Sequence, residues 1–250
     1  MKLKEELARR SHLIKKAEVF SLDYVPREIY ERPEIQSIRK SILSLLRFKL
    51  PQNVLLIGPS GTGKTLSVLK YRDEIRQDFP GFEVRYINCR EAYTSYRVIS
   101  RLARIPMRGI SLDEAFQQFF QQQKANLLLI LDEVDKLRDH EILYAFSRVQ
   151  EIARDFPYAI SLFLISNNPR WSEGLDSSIA SSLRLVSEVF GTYNAEELST
   201  ILGYRVKEGL YEGACPEELI RYIAGRTVKD AYADTRVAIL TLLRSGLRAE

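Results

Sequence analysis

Asn53-Val54-Leu55-Leu56-Ile57-Gly58-Pro59-Ser60-Gly61-Thr62-Gly63-Lys64-Thr65 is the stretch on which the reading of the whole chain turns. Its apolar run, Val54 to Ile57, predicts a short strand buried in a parallel sheet. Gly58, Gly61 and Gly63 allow a tight backbone turn, and Lys64-Thr65 open a helix that continues through Leu66, Val68 and Leu69. Strand, glycine turn and helix in that order match the G-x-x-x-x-G-K-[ST] phosphate loop in the context it requires. Side chains at the glycines would keep backbone N–H groups away from phosphate oxygens. The helix after the turn points its free N–H groups and positive dipole end toward the same anion. Gly58, Pro59, Ser60, Gly61, Thr62, Gly63, Lys64 and Thr65 are therefore the expected cradle. Lys64 is expected on the β- and γ-phosphates and the Thr65 hydroxyl on Mg2+. The competing reading is a glycine turn without a ligand, which the complete motif and its flanks disfavour. The prediction is a nucleoside triphosphate site.

Further along, Leu127 to Leu131 form a second apolar run that ends in Asp132-Glu133. Asp132, at the carboxyl end of a strand beside the loop, is expected to hold the Mg2+ shell. Glu133, one residue on, is expected to orient or deprotonate an attacking water. An acidic turn after a core strand is the plainer alternative. Asp135 is expected to cap the following helix rather than assist the metal. Ala159 to Ile165 predict a third buried strand, and Asn167 just after it is expected to bond the γ-phosphate or the lytic water. Arg236, early in the last helix, is expected to reach the phosphates, against the alternative of a surface arginine.

The bulk properties bound the rest. The 250 residues carry 45% apolar and 28% charged side chains, with Lys plus Arg at 37 against Asp plus Glu at 33. That is a soluble globular composition with a mild basic excess, compatible with nucleic acid. Two cysteines, Cys89 and Cys215, and two isolated histidines, His12 and His140, suggest neither a disulfide framework nor a structural metal. No run has membrane-spanning length and the start lacks a signal-peptide pattern, so a cytoplasmic protein without a membrane partner is expected.

Residues 2–20 predict a basic amphipathic helix, with Leu3, Leu7, Leu13 and Ile14 on one face, docked on the core in preference to DNA. Helices are expected from Pro33 to Phe48, from the phosphate loop to Gln77, after Ser111, and from Glu141 to Arg154. The glutamines from Gln117 to Gln123 read as an exposed helix face. Phe82 to Asn88 and Leu185 to Phe190 complete the strands. In between, Arg97, Arg101 and Arg104 share a face if that segment is helical and ends at Pro106 and Gly109. From Asn194 onward only helices are expected: one capped by Asn194 with Glu197, one starting at Pro216, and one from Asp234 to about Gly246. Strands alternating with helices imply a largely parallel sheet with covered faces. The expected organisation is residues 1–20 as the N-terminal helix, 21–191 as the core and 192–250 as a helical lid.

Particular stretches make the chain similar to the AAA+ ATPases, and more narrowly to the archaeal origin-recognition and cell-division-cycle initiator family. They are Tyr24-Val25-Pro26 with Arg32, Tyr86-Ile87-Asn88-Cys89-Arg90, Leu131-Asp132-Glu133-Val134-Asp135, Ile165-Ser166-Asn167, Ser181 to Arg184, Tyr193 to Leu198, and Asp234-Thr235-Arg236. The resemblance implies an α/β fold: a three-layer P-loop NTPase core with a parallel sheet, followed by a small all-α lid domain. It implies ATP or ADP with Mg2+ as ligands, slow ATP hydrolysis, and adenine contacts from Tyr24, Val25, Arg32 and Tyr204. Duplex DNA is the implied partner, together with replication proteins or other AAA+ subunits. The Arg97, Arg101, Arg104 face becomes a DNA-backbone surface, with a solvated basic face as its alternative.

The chain also departs from the family pattern. A winged-helix DNA-binding domain is expected after the lid, and the sequence stops at Glu250, as a short relative or a truncated chain would. The lid motif reads Ala233-Asp234 in place of Gly-Asp. Ser182 stands where many relatives place an arginine finger, leaving Arg184 as the candidate. Two other readings compete with an ATP-controlled initiator. One is a generic AAA+ remodeller or clamp-loader-like enzyme, disfavoured by arginines where threading motors carry an aromatic–Gly loop. The other is a nucleotide switch in a signalling scaffold, disfavoured by Glu133.

Overall fold

A computed structural model of the chain describes residues 11–104, 109–153 and 155–250. By their contacts the described residues fall into two units. The first, Arg32–Pro59 with Lys64–Phe190, is an α/β unit. The second joins the described residues before Arg32, the loop tip Ser60–Gly63 and Gly191–Glu250.

The α/β unit holds five parallel strands: β1 (Val54–Ile57), β2 (Phe82–Asn88), β3 (Asn126–Asp132), β4 (Ile160–Ser166) and β5 (Val186–Val189), in the order β2-β3-β4-β1-β5. Every residue of β1, β3 and β4 is buried, as expected for inner strands covered on both faces. Alternation divides their side chains between two apolar layers. Leu55, Leu129 and Leu164 point into one layer with Phe116, Phe119, Phe120 and Phe146. Leu56, Ile130 and Phe163 point into the other, with Ile38, Ile42, Leu45, Val68 and Ile75. The helices are α1 (Pro33–Phe48), α2 (Lys64–Asp78), α3 (Ser95–Ala103), α4 (Leu112–Gln122), α5 (Glu141–Ser147), α6 (Val149–Ile152) and α7 (Ser177–Leu183). Strand register sets which residues share an edge. Ile57 lies opposite Ser166 and Leu131 opposite Leu164, so β1, β3 and β4 deliver Gly58, Asp132 and Asn167 to one edge of the sheet. In an open α/β sheet that edge is where ligands bind.

Three local expectations change. The helix predicted from Glu141 to Arg154 is broken at Arg148 (φ −121°), whose guanidinium donates to Ser182 Oγ at 2.9 Å, and Arg154 lies outside the described residues. Gln123 is not exposed: its amide donates to Glu83 and to the carbonyl of Ala125, which tucks it under β2. Arg104 does not share the α3 face with Arg97 and Arg101, because α3 ends at Ala103 and Arg104 caps it in the left-handed region (φ 55°). Pro106 lies outside the described residues.

The second unit contains α8 (Ala195–Gly209), α9 (Glu217–Asp230) and α10 (Thr235–Ala249). Asn194 and Glu197 form the predicted capping box, and Asp234 caps α10, which runs past Gly246. The predicted N-terminal helix is contradicted over its described part. Ile14 makes an antiparallel bridge to Leu210, and Lys15 and Lys16 both donate their N–H to the carbonyl of Gly209, at 2.8 and 3.0 Å. A 3-10 turn, Ala17–Phe20, then buries Val19 and Phe20 among Leu198, Leu202, Ala224 and Ile239. A straight helix would leave those two apolar residues no such socket. Residues 1–10 of the expected helix lie outside the described residues. A Cβ on Gly209 would stand 2.6 Å from the Phe20 ring, so the close approach requires glycine. Among the described residues no helix is long and apolar enough to cross a membrane.

Candidate nucleotide site

Gly58 follows β1 with φ 152°, and a Cβ there would meet the carbonyl oxygen of Phe190 at 2.2 Å. The turn can therefore start only at glycine. Past the turn, α2 opens on Lys64, a lysine only 5% exposed. Its ammonium donates to the carbonyls of Gly58 (2.7 Å) and Pro59 (2.8 Å) and to Oδ1 of Asn167 (3.0 Å). A buried ammonium at the start of the helix after a glycine turn is placed where a phosphate oxygen would bond it strongly.

The next residue reaches β3. Thr65 Oγ1 donates to Asp132 Oδ2 at 2.9 Å, the Tyr86 hydroxyl donates to the same oxygen at 2.8 Å, and the Glu133 N–H donates to Asp132 Oδ1 at 2.8 Å. Both carboxylate oxygens of the buried Asp132 are thus oriented, Oδ2 by two hydroxyls and Oδ1 by a backbone N–H. Hydroxyl and carboxylate oxygens side by side are the hard donors that Mg2+ selects, and the residues fit that ion. Burial, then the Asp132 charge, push the Tyr86 hydroxyl well above the usual phenol range, so it stays a donor. The same two causes push the buried Cys89 thiol up to about 12.

Glu133 leaves the strand in the left-handed region (φ 52°), which turns its side chain back toward the end of β2. There Arg90 grips Oε2 through Nε and Nη2, both at 2.8 Å, and Asn88 Nδ2 lies 3.4 Å from Oε1. Asn167 is held by its backbone: its N–H donates to Asp135 Oδ1 at 3.3 Å, and the Ser166 hydroxyl donates to the same oxygen at 3.2 Å. Asp135 therefore does not cap the next α-helix, whose N-cap is His140. It fixes the Asn167 loop instead. Burial alone would raise the Asp135 carboxyl. Lys136 and the Asn167 N–H outweigh that and hold it below the usual aspartate range.

In the helical unit, the loop tip meets the start of α10. Arg236 Nη2 donates to Ser60 Oγ at 2.5 Å and to Asp234 Oδ2 at 2.7 Å. Arg236 also holds the Asp234 carboxyl below its usual range. A Cβ on Gly61 would stand 2.1 Å from Asp234 Oδ1, so only glycine fits there. The expected adenine residues divide. Tyr24 donates its hydroxyl to Glu208 at 2.6 Å under the Arg205 guanidinium, while Val25 is half-buried. Arg205, not Tyr204, is the α8 residue against Tyr24. It is buried, with Nη1 donating to the Val19 carbonyl at 2.6 Å. Tyr204, one residue and so about 100° round the helix, lines a groove with Lys15, Lys16 and Lys207. In the α/β unit, Arg32 is buried over the Phe190 ring and pairs with Glu34 at 3.3 Å.

Comparisons with known proteins bear on this geometry. Residues 49–169 match the AAA domain family model. An ORC1-type DNA replication protein 1 of Methanosarcina acetivorans is 34% identical over 262 residues, covering 98% of this chain and 62% of that protein. Among solved structures, the Aeropyrum pernix ORC1 protein in complex with DNA superposes with a TM-score of 0.83 at 27% identity, over 96% of this chain and 66% of that one. The chain is similar to the ORC1/Cdc6-type AAA+ proteins over nearly its whole length. Cdc6p of Pyrobaculum aerophilum gives the same TM-score, 0.83, at 26% identity over 95% of this chain and 66% of that one. The chain spans about three fifths of the length of the curated relatives it matches.

Other residues singled out for the family's functions have partners of their own. Arg97 stacks on the Tyr93 ring at 4.0 Å, Arg138 lies on the same ring at 4.3 Å, and Arg101 pairs with Glu91 at 3.1 Å. Arg184 caps α7 in the left-handed region (φ 46°) just before β5. It lines a cavity of about 890 Å³ with Lys49, Arg148 and Ser182, at the amino-terminal end of the strands, opposite Lys64. Sequence reasoning assigned Asp135 to a helix cap and missed the partners that Tyr86, Arg90 and Arg205 make. The period-two alternation of Phe82–Asn88 carried a faint signal for Tyr86. Nothing local marked the others.

Proposed function

We propose that the chain binds ATP, hydrolyses it slowly, and uses the ATP state to control binding to duplex origin DNA and loading of replication proteins in the cytoplasm. The observation that carries this is the meeting of Lys64, Thr65, Asp132 and Asn167 at the carboxyl ends of three neighbouring strands, with Glu133 one residue beyond. In this reading Lys64 exchanges two carbonyls and an amide oxygen for phosphate oxygens, gaining charge-assisted bonds. Thr65 and Asp132 would hold Mg2+, which supplies neutralisation of the phosphate charge when bound. Asn167 orients the attacking water. Glu133 accepts the water's proton as its oxygen bonds to the γ-phosphorus and the bond to the β-phosphate oxygen breaks, leaving ADP and phosphate. Arg236, bonded to Ser60 of the phosphate loop and to Asp234, is the arginine assigned to the phosphates. Arg184, at the far end of the sheet, suits the nucleotide of a second AAA+ subunit better than its own.

The DNA-bound state of the Aeropyrum pernix relative supports duplex DNA as the partner, with Arg97 and Arg101 on α3 as backbone contacts. Two substitutions test the chemistry. Lys64→Ala abolishes binding of a fluorescent ATP analogue. Glu133→Gln keeps binding but slows single-turnover hydrolysis by roughly 10²–10⁴-fold. Retained binding in the first, or unchanged hydrolysis in the second, overturns the assignment.

A further inference from the structure

The helical unit carries a groove of about 310 Å³ lined by Lys15, Lys16, Arg27, Glu28, Tyr204, Lys207 and Glu208. Four cations face two carboxylates there, and the carboxylates are partly spoken for. Glu208 accepts from the Tyr24 hydroxyl on one oxygen (2.6 Å) and from the Arg27 N–H on the other (3.1 Å). Glu28 meets Lys207 at 3.2 Å, but both side chains are more than half exposed, so water screens that pair. Lys15 and Lys16 have no carboxylate partner among the described residues.

These lysines do not sit on a loose tail. Their N–H groups both bond the Gly209 carbonyl, Tyr211 donates to the Leu13 carbonyl at 3.0 Å, and Val19 and Phe20 are buried just beyond them. The sequence spends ordered, solvent-facing backbone on holding two adjacent lysines against Lys207, some 190 residues later, where mutual repulsion disfavours the arrangement. Self-repelling cations fixed in one groove, with a half-buried tyrosine beside them, favour a bound polyanion.

We propose that this groove receives phosphates of a nucleic-acid backbone, a contact surface on the helical unit in addition to α3. The inference rests on the DNA-binding reading above and adds to it a site on Lys15, Lys16 and Lys207. Such contacts act through charge, so they are indifferent to base sequence and weaken with salt.

The test is fluorescence anisotropy of the full chain with a labelled duplex, titrated at several salt concentrations. The variants are Lys15→Glu with Lys16→Glu, and Lys207→Glu. Circular dichroism melts check folding, since the anchoring bonds here are made by backbone rather than by the substituted side chains. The combined variant is expected to flatten the slope of log affinity against log salt by about 2–3, near 0.9 for each phosphate no longer neutralised, equally on unrelated duplexes. Lys15→Arg with Lys16→Arg keeps the wild-type slope. A wild-type slope in the charge-reversed variant overturns the groove while leaving DNA binding through α3 intact. No duplex binding by the wild type overturns both. Competition by millimolar inorganic phosphate, with the duplex slope unmoved, makes the groove a small-anion site and also overturns the proposal.

Discussion

Glu133 is the side chain on which the proposed hydrolysis depends, and the fold holds it with an arginine. Arg90 stands two residues past Asn88, which pairs with Asp132 across the β2–β3 register, so the guanidinium and the carboxylate meet only because those strands align. Arg90 is largely exposed and Glu133 mostly buried, so the pair is a modest restraint of roughly 1 kcal/mol. A carboxylate gripped in this way is held toward Arg90 and away from an attacking water. Arg90→Ala is expected to raise single-turnover hydrolysis up to about fivefold without changing ATP affinity. Slower hydrolysis would instead make Arg90 the residue that positions Glu133.

At the scale of elements, the ends of helices show where a local rule is broken. α9 stops at Asp230, and the Ala233 N–H folds back to the Thr227 carbonyl at 3.1 Å. That closure drives Tyr232 (φ 51°) and Ala233 (φ 57°) into the left-handed region. The backbone explains the expected glycine at this position, because an L side chain in that conformation costs about 1 kcal/mol or more. Glycine carries a larger entropy loss on folding, of the same order. The balance predicts that Ala233→Gly stabilises the chain slightly, by about 0.5 kcal/mol, read as a small rise in the midpoint of urea unfolding. A loss above about 1 kcal/mol would mean that the buried Ala233 methyl outweighs the strain.

Across the whole molecule, two cores are built on different principles. The α/β unit is stabilised by two apolar layers on a parallel sheet, and the helical unit by one cluster that includes Val19 and Phe20. Each holds one cysteine. Cys89 is fully buried with its thiol raised to about 12, and Cys215 is half-buried with its thiol raised by burial. Raised thiols are poor nucleophiles at neutral pH, so labelling reports opening. Phe20→Ala removes a fully buried ring and is expected to cost about 3–5 kcal/mol. Iodoacetamide labelling followed by mass spectrometry should then show Cys215 accelerated and Cys89 unchanged. Equal acceleration would mean that both units open together.

The sequence by itself determined the phosphate loop, the five strands, the three closing helices, and the candidate roles of Lys64, Thr65, Asp132 and Asn167. Those signals are local: glycine spacing, apolar runs of strand length, and caps read within a few residues of their helix. Only the tertiary structure decided that Asp135 steadies Asn167, that Arg90 holds Glu133, that Arg205 meets Tyr24, and that residues 11–20 join α8, α9 and α10 as bridge and turn. The expected helix failed there because the amphipathic pattern of Leu13 and Ile14 fits a bridge to Leu210 as well as a helix face. Val19 and Phe20, moreover, find their burial only in a socket more than 170 residues away. Strand register and helix rotation bring such partners together, and neither is written in the spacing of neighbouring residues.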